Sequence, residues 1–291
     1  MPNKGIVLRE LMFGKEIFIR PSIACALHAK IAERLGFKAL GISGANTSGH
    51  ILGIPDAGLI TLTEVADNAR RICSAVNIPV MVDCDTGFGN AINVRRTVEA
   101  VIRAGAAGLF IEDQVAPKRC GFVKGKEILP LDEALGKYRA AIDARNELDP
   151  DVIIMARTDA RGAVGGGLDE CVARLRAYKR VGVDVLYAEA LQSMDEVRAV
   201  RAEVEGPLFV TTRAIQPPPA LHELQDAGIC MAIVHPARAG SIAIWDLLHI
   251  AKEKGRSAAL AHTAKSNNHP LSGLGVFTLL GLPRVQEWEE K

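Results

Sequence analysis

The feature that most constrains this chain is a regular alternation of short β-rich runs with longer amphipathic runs. The β-rich runs contain continuous stretches of Val, Ile, Leu and Met, which is typical of parallel strands covered on both faces. They occupy residues 17–22, 39–44, 80–85, 108–113, 152–159, 185–190, 208–212 and 230–235. The runs between them place apolar residues three and four positions apart, as helices with one buried face do. They occupy residues 24–35, 62–76, 91–104, 132–148, 168–181, 194–204, 220–227 and 239–254.

Eight strand–helix units predict an α/β fold of the (β/α)8 TIM-barrel type. A doubly wound open sheet is the alternative, but it usually carries a Gly-rich phosphate turn after its first strand, and here that strand ends Arg20-Pro21-Ser22. No linker interrupts the pattern, so we expect a single domain over residues 1–291. Residues 256–291 are expected to form a C-terminal helical extension, which a barrel does not need in order to close and which would cover another surface or a neighbouring subunit.

Composition narrows the class of partner. The 35 basic and 34 acidic side chains leave a net charge of +1, which argues against binding to nucleic acid or to a membrane surface. No run approaches the ~18 apolar residues of a membrane span, and the first residues lack a secretory apolar stretch. The six cysteines are spaced singly, unlike a disulfide scaffold or a zinc site. We therefore expect a cytoplasmic protein that acts on a small molecule.

Acidic side chains follow the third and fourth predicted strands. Asp83 and Asp85 share one face of the third strand because side chains alternate along it, and Glu112 ends the fourth. Burying isolated carboxylates in a barrel mouth costs several kcal/mol each, unless a cation compensates them. All-oxygen ligands suit Mg²⁺, with Mn²⁺ as a second choice. The alternative is that these are solvated acids paired with Arg157 or Lys118.

The long connection 115–126, after the fourth strand, is rich in Gly and has no helical period, which predicts a mobile lid beside the acids. Cys120 in this segment follows two cations, Lys118 and Arg119, and positive charge favours the reactive thiolate. A surface cysteine without a role remains the alternative.

Several motifs, in this order, carry a family resemblance. They are Ser43-Gly44, Leu52-Gly53-Ile54-Pro55-Asp56, Val82-Asp83-Cys84-Asp85-Thr86-Gly87-Phe88-Gly89-Asn90, Ile111-Glu112-Asp113-Gln114, Pro117-Lys118-Arg119-Cys120-Gly121, Ala156-Arg157-Thr158-Asp159-Ala160 and Glu189-Ala190. Together they resemble the isocitrate lyase/phosphoenolpyruvate mutase superfamily, in its methylisocitrate lyase and 2,3-dimethylmalate lyase branch.

The resemblance implies a (β/α)8 barrel homotetramer in which paired subunits exchange the last barrel helix. It implies Mg²⁺ held at the positions of Asp83, Asp85 and Glu112, partly through water. The phosphonate-forming mutases of the superfamily lack the lid cysteine, so Cys120 favours carbon–carbon lyase chemistry.

The resemblance also assigns roles to site residues. The backbone of Ser43, Gly44 and Ala45 would bind the carboxylate of a 2-oxyacid. The other expected substrate contacts are Asp56, Gly121, Arg157 and Thr211. The expected catalytic residues are Cys120 as acid–base group, Arg157 against enolate-like charge, Glu189 as orienting or relaying group, and Lys118.

The chain departs from this pattern in its distal pocket. Phe122 stands where the lyases usually have a lid histidine, and Thr211 lies where the seventh strand usually offers an asparagine. The following segment, 216–219, is Gln-Pro-Pro-Pro where the family is often Gly-rich. We therefore expect a substrate other than methylisocitrate.

The sequence thus predicts a Mg²⁺-dependent lyase that cleaves a 2-hydroxy di- or tricarboxylate, such as an alkylmalate, by retro-aldol chemistry into a 2-oxo acid and a carboxylate. The first alternative is an oxaloacetate hydrolase or decarboxylase on the same scaffold. A phosphonate-forming mutase fits less well because of Cys120. An oxyacid-binding sensor without activity would not need the thiol.

Overall fold

The computed structural model describes residues 3–121 and 123–291, in which eight parallel strands alternate with helices. The strands are β1 (Phe18–Ile23), β2 (Leu40–Ile42), β3 (Val80–Asp83), β4 (Gly108–Glu112), β5 (Ile153–Thr158), β6 (Val185–Ala188), β7 (Leu208–Val210) and β8 (Met231–Val234). The helices are α1 (Lys4–Phe13), α2 (Ala26–Arg34), α3 (Gly44–Thr47), α4 (Leu62–Ala75), α5 (Ala91–Arg103), α6 (Leu131–Leu148), α7 (Leu168–Val181), α8 (Met194–Glu203), α9 (Leu221–Asp226), α10 (Pro236–Ala264), α11 (Gly275–Leu280) and α12 (Leu282–Glu289).

The strands form a nearly closed barrel. Their order is β7-β6-β5-β4-β3-β2-β1-β8, and every neighbouring pair is parallel. The barrel closes between its two end strands through a parallel bridge of Leu208 with Ile229, beside which the N–H of Cys230 donates to the carbonyl of Leu208 at 2.9 Å. The predicted barrel is confirmed, and the carboxyl ends of all its strands meet at one mouth.

Helix α1 was not predicted from the sequence, and it covers the opposite end of the barrel. Asn3 caps it by accepting a hydrogen bond from the N–H of Gly5 at 2.8 Å. Leu8 and Met12 are buried, and they pack with apolar side chains inside the barrel. A Cβ on Gly108, the first residue of β4, would come within 3.0 Å of Leu8. Because Gly108 is at the amino end of its strand, α1 closes the end away from the mouth.

Helix α10 does not pack back on its own barrel in the way that α2 to α9 do. Only Ala237 of its residues is buried. Ile244, Trp245 and Leu248 are 62%, 72% and 64% exposed. The backbone of Gly255 (φ 79°, ψ 173°) bends the helix between its two halves. No helix in the described part of the chain is long and apolar enough to cross a membrane.

Candidate active site

A cavity of about 480 Å³ opens at the carboxyl ends of the strands. Predicted site residues supply much of its lining: Ser43, Ala45, Asp56, Asp83, Lys118, Cys120, Gly121, Arg157, Glu189 and Thr211. The remaining predicted residues, Gly44, Asp85 and Glu112, lie directly behind this lining, each in contact with a residue of it. The fold therefore gathers the whole predicted set at the mouth of the barrel.

Asp83, Asp85 and Glu112 form what we call the acidic wall of this cavity. Asp83 ends β3 and accepts hydrogen bonds from two backbone N–H groups. Its Oδ2 accepts a hydrogen bond from the N–H of Gly44 at 2.9 Å, and its Oδ1 accepts one from the N–H of Asp85 at 3.1 Å. Asp85 has a left-handed backbone, with φ 46°, which turns the chain at the strand end. A Cβ on Gly44 would lie 2.8 Å from Oδ1 of Asp85, so the close approach of the start of α3 to this turn favours glycine.

Asp85 and Glu112 are buried carboxylates whose oxygens are only partly satisfied. Gln114 donates to Oε1 of Glu112 at 3.0 Å, and among the described residues the remaining oxygens have at most ion-pair neighbours. Within residues 3–121 and 123–291, neither oxygen of Asp85 nor Oε2 of Glu112 accepts a hydrogen bond. Burial, followed by repulsion from Asp83, raises the pKa of Asp85 to about 6, although Lys118 opposes this rise. Burial also raises the pKa of Glu112 well above its usual value, against the attraction of Arg157. These shifts indicate that the acidic wall has less positive charge nearby than its carboxylates require.

A divalent cation fits this wall through a small number of protein oxygens. The described residues contain no group of three His, Cys, Asp or Glu side chains close enough to hold one ion directly. Mg²⁺ usually keeps several waters and takes one or two carboxylates, so a full protein cage is not needed. The unsatisfied oxygens of Asp85 and Glu112, together with the adjacent Asp83, fit such a hydrated ion.

Lys118 is a fixed cation beside the acidic wall. It is buried, its Nζ lies 3.0 Å from Oδ1 of Asp85, and it also pairs with Asp56 from the loop after β2. Burial lowers its pKa, but the charges of Glu112, Asp85 and their neighbours outweigh burial and raise the pKa above its usual value. A lysine held in this way stays protonated, so it positions the lid and supplies charge but does not exchange protons.

Arg157 on β5 connects the acidic wall to the opposite side of the cavity. Its Nε and Nη2 donate to the two carboxylate oxygens of Asp159 at 2.8 and 2.9 Å. Its Nη1 lies 3.1 Å from Oε2 of Glu112, and its Nη2 lies 3.8 Å from Oε2 of Glu189. The guanidinium also lies over the ring of Tyr187, 5.2 Å from its centroid. Three carboxylates and a ring therefore fix one orientation of Arg157.

Glu189, just beyond β6, is held by two hydroxyl groups. Tyr187 donates to its Oε2, and Thr211 donates to its Oε1 at 2.9 Å. Burial, then the neighbouring Glu189, raises the pKa of Tyr187 well above its usual value, so this phenol stays protonated as a donor. Thr211 thus has a defined hydrogen-bond partner in the site even though the sequence departs from the family pattern there.

The lid segment is folded over the cavity and tied to the barrel. Gln114 bonds the backbone of Arg119 twice, donating to its carbonyl at 2.9 Å and accepting from its N–H at 3.0 Å. Lys126 donates to the carbonyl of Gly121 at 2.8 Å and to Asp159 at 2.7 Å. These bonds place half-buried Cys120 at the cavity. The expectation about Phe122 falls outside the described residues.

Comparison with known proteins gives the family. The sequence matches the phosphoenolpyruvate phosphomutase family over residues 8–253. It is 42% identical to 2,3-dimethylmalate lyase of Eubacterium barkeri over 204 residues, which is 70% of this chain and 69% of that protein. It is 41% identical to 2-methylisocitrate lyase of Aeropyrum pernix over 259 residues, or 88% of this chain and 82% of that protein. The chain belongs to the phosphoenolpyruvate mutase/isocitrate lyase superfamily.

Solved structures of the superfamily share the same barrel. One is oxaloacetate acetylhydrolase with the inhibitor 3,3-difluorooxalacetate, with a TM-score of 0.88 and 30% identity over 99% of this chain and 96% of that one. Another is phosphonopyruvate hydrolase with oxalate and Mg²⁺, with a TM-score of 0.86 and 28% identity over 99% of both chains. Superfamily members with different reactions therefore superpose on this chain over nearly its whole length.

Four residues of this site were given no role in the sequence analysis, although Gln114 and Asp159 belong to motifs quoted there. They are Gln114, Lys126, Asp159 and Tyr187. Strand alternation gave a signal for two of them, since Gln114 lies two residues beyond Glu112 and Tyr187 lies two residues before Glu189. Nothing local marks Lys126, because its contact with Asp159 joins positions 33 residues apart.

Proposed function

We propose that the protein is a Mg²⁺-dependent carbon–carbon lyase that cleaves a 2-hydroxy di- or tricarboxylate by a retro-aldol reaction. Its products are a 2-oxo acid and a carboxylate. The observation that carries the proposal is the division of the cavity into an unsatisfied acidic wall and a facing set of Cys120, Arg157 and Glu189. One side suits the oxyacid end of the substrate, and the other suits proton transfer and neutralisation of the charge that develops during cleavage.

The acidic wall is where Mg²⁺ would be held, by Asp83, Asp85 and Glu112, in part through water; Mn²⁺ is the substitute that these oxygens would accept. When bound, such an ion stabilises negative charge on the 2-oxygen and its adjacent carboxylate. The dependence on a cation is supported by the buried oxygens of Asp85 and Glu112 that accept no hydrogen bond from the described residues.

The reaction breaks the C2–C3 bond, and its electron pair stays on C3. The 2-hydroxyl loses its proton to Glu189 and becomes the ketone oxygen, while the backbone of residues 43–45 holds the C1 carboxylate. The Cys120 thiol gives its proton to C3, which completes the carboxylate product. Arg157 neutralises the enolate-like charge that develops before this protonation, and its fixed orientation supports that function.

A second candidate on the same scaffold is hydrolysis or decarboxylation of oxaloacetate. The structural similarity to oxaloacetate acetylhydrolase favours it. It would need the same contacts to the oxyacid end and a smaller substrate. Its C3 carbanion, left as acetate in hydrolysis or as pyruvate enolate in decarboxylation, would also have to be protonated.

Oligomerisation forms part of the proposal. We propose a homotetramer in which paired subunits exchange α10, because α10 leaves its own barrel with large apolar side chains exposed. We also place the enzyme in the cytoplasm. None of its six cysteines forms a disulfide, which fits a reducing compartment.

The decisive experiment measures release of 2-oxo acid from a panel of 2,3-dimethylmalate, 2-methylisocitrate, other alkylmalates and oxaloacetate. We expect turnover of an alkylmalate in Mg²⁺, loss of it in excess chelator, and recovery when Mg²⁺ or Mn²⁺ is restored. Activity on oxaloacetate alone would establish the second candidate. Full activity in chelator, with no metal in the protein by elemental analysis, would refute the cation assignment.

A further inference from the structure

Arg20 is a buried arginine for which the described residues offer no carboxylate at ion-pair distance. It lies on β1 and is 5% exposed. Its Nε makes no hydrogen bond, and its guanidinium contacts the face of Phe209, 6.0 Å from the ring centroid. Burial lowers its pKa to about 10, which still leaves it charged at neutral pH. Asp83 acts on Arg20 only as a charge beyond ion-pair distance. A buried cation without an ion-pair partner is destabilising, so the position indicates an anion that the protein itself does not supply.

The neighbouring strand leaves space for this side chain. A Cβ at Gly41 would lie 1.7 Å from Nη1 of Arg20, so the guanidinium occupies the volume that any other residue on β2 would fill. Arg20 thereby reaches the lining of the active-site cavity, at its floor. It does not fill the barrel interior as an apolar residue at this position would.

Three further basic side chains line the same cavity above Arg20. Arg213 follows β7, His235 follows β8, and Arg238 lies in the first turn of α10. The pKa of the His235 imidazole reflects the proximity of these charges. Partial burial, then Arg213, Arg20 and Arg238, lower the pKa of His235, with Glu189 as the opposing charge. The β7–β8–β1 side of the cavity is therefore a cationic wall of Arg20, Arg213 and Arg238, with His235 beside them as an uncharged donor, and it faces the acidic wall.

We propose that this cationic wall binds the substrate carboxylate that lies farthest from the 2-oxygen. The assignment rests on the proposed function, which places the oxyacid end of the substrate at residues 43–45 and the acidic wall. A carboxylate at the opposite end would supply the missing partner of Arg20 and accept the forked donors of a guanidinium. Phe110, Phe209 and Ile233 line the cavity as well and would contact the carbon skeleton. The wall thus selects 2-hydroxy acids with a second, terminal carboxylate over those with a neutral end.

The test compares two ligands that differ in this one group. Malate and 2-hydroxybutanoate share the C1 carboxylate and 2-hydroxyl, whereas only malate has a terminal carboxylate. Oxalate serves as a third ligand that engages the oxyacid end alone. Dissociation constants are measured by calorimetry on the full chain in Mg²⁺. We expect wild type to bind malate at least about tenfold more tightly than 2-hydroxybutanoate, as charge-assisted hydrogen bonds to a guanidinium predict.

The variants are Arg213→Gln, Arg238→Gln and Arg20→Gln, with Arg198→Gln as the control because Arg198 is exposed on α8, away from the cavity. We expect the first three to reduce the preference for malate by about 10- to 100-fold while the affinity for oxalate is retained. Arg20 is buried, so thermal unfolding is measured for its variant, and the exposed Arg213 and Arg238 positions decide the result if that variant does not fold.

The outcomes separate the two proposals. If oxalate does not bind to wild type in Mg²⁺, the proposed function fails at the oxyacid end. If oxalate binds but wild type shows no preference for malate, or if Arg213→Gln and Arg238→Gln leave that preference equal to that of the control, the cationic wall does not bind the terminal carboxylate and the inference is overturned.

Discussion

Arg157 and Asp159 form a two-point ion pair inside the barrel, with Nε to Oδ2 at 2.8 Å and Nη2 to Oδ1 at 2.9 Å. Asp159 is itself held by a hydrogen bond from Lys126 at 2.7 Å and by its own N–H, which donates to Asp113 at 2.9 Å. The residue that neutralises charge in the proposed reaction is therefore positioned by a carboxylate that does not line the cavity. This relationship links the fifth strand to the lid, because Lys126 also bonds the carbonyl of Gly121.

The first prediction concerns Asp159→Asn. The amide keeps the shape but removes the charge that compensates Arg157 and Lys126, so we expect a loss of about 3–5 kcal/mol in unfolding free energy. We also expect kcat to fall by about 10- to 100-fold because Arg157 loses its fixed orientation. Urea unfolding and steady-state kinetics measure the two effects. Asp195→Asn removes an exposed ion pair with Arg198 and should change neither quantity appreciably. Wild-type stability in Asp159→Asn would contradict the conclusion that Asp159 compensates the charges of Arg157 and Lys126.

The same pair predicts the direction of a pH effect. Burial raises the pKa of Asp159, but Arg157 and Lys126 outweigh burial and hold the pKa below its usual value. A carboxyl group with a lowered folded-state pKa adds stability above its unfolded pKa of about 3.9, and that stability is lost as the pH falls through the folded value. The stability difference between wild type and Asp159→Asn should therefore be largest near neutral pH and shrink below about pH 4. A constant difference across this range would show that the ion pair is not the source of the stability difference.

A separate prediction tests the proton donor. Cys120→Ser leaves the residues of the acidic wall and of the oxyacid end unchanged but replaces the thiol with a far weaker acid. We therefore expect kcat to fall by about 10²- to 10⁴-fold. Binding of oxalate should persist, since the oxyacid end is unchanged. Cys25→Ser is the matched control, because Cys25 is also half-buried but lies outside the cavity. An unchanged kcat in Cys120→Ser would eliminate Cys120 as the proton donor, and with it the lyase mechanism proposed above.

The barrel and the grouping of its strand-end residues could be predicted because both follow from periodicity, which is local. Asp83, Asp85 and Glu112 were identified in this way, since parallel strands bring their carboxyl ends together. The ion pairs were less predictable. That Lys118 would bridge Asp56 and Asp85 depends on two loops meeting, and sequence spacing does not encode such a meeting. The cationic wall was unpredictable for the same reason, since Arg20 and Arg213 lie far apart in the sequence.

The lid substitution gives a prediction that follows from the sequence alone. Phe122 stands where related lyases usually have histidine, so Phe122→His adds a donor suited to a carboxylate and removes an apolar surface. The ratio of kcat/KM for 2-methylisocitrate to that for 2,3-dimethylmalate should therefore rise. The conservative replacement Phe122→Leu, which adds no donor, should leave the ratio near its wild-type value. An unchanged ratio in Phe122→His would move the source of specificity to Thr211 or Arg213.

The last prediction concerns assembly through α10. Trp245 and Leu248 are 72% and 64% exposed in the single chain, and burying such side chains contributes about 1.5–3 kcal/mol each to association. Wild type should therefore be a tetramer by light scattering at micromolar concentration, and Trp245→Asp with Leu248→Asp should shift it to smaller species. Ile92→Asp is the matched control, because Ile92 on α5 is equally exposed, at 73%, but belongs to the barrel and not to the helix that leaves it. A monomeric wild type would refute helix exchange. A double variant that remains a tetramer would place the subunit contact elsewhere, since two buried aspartates at an interface cannot be accommodated without partners.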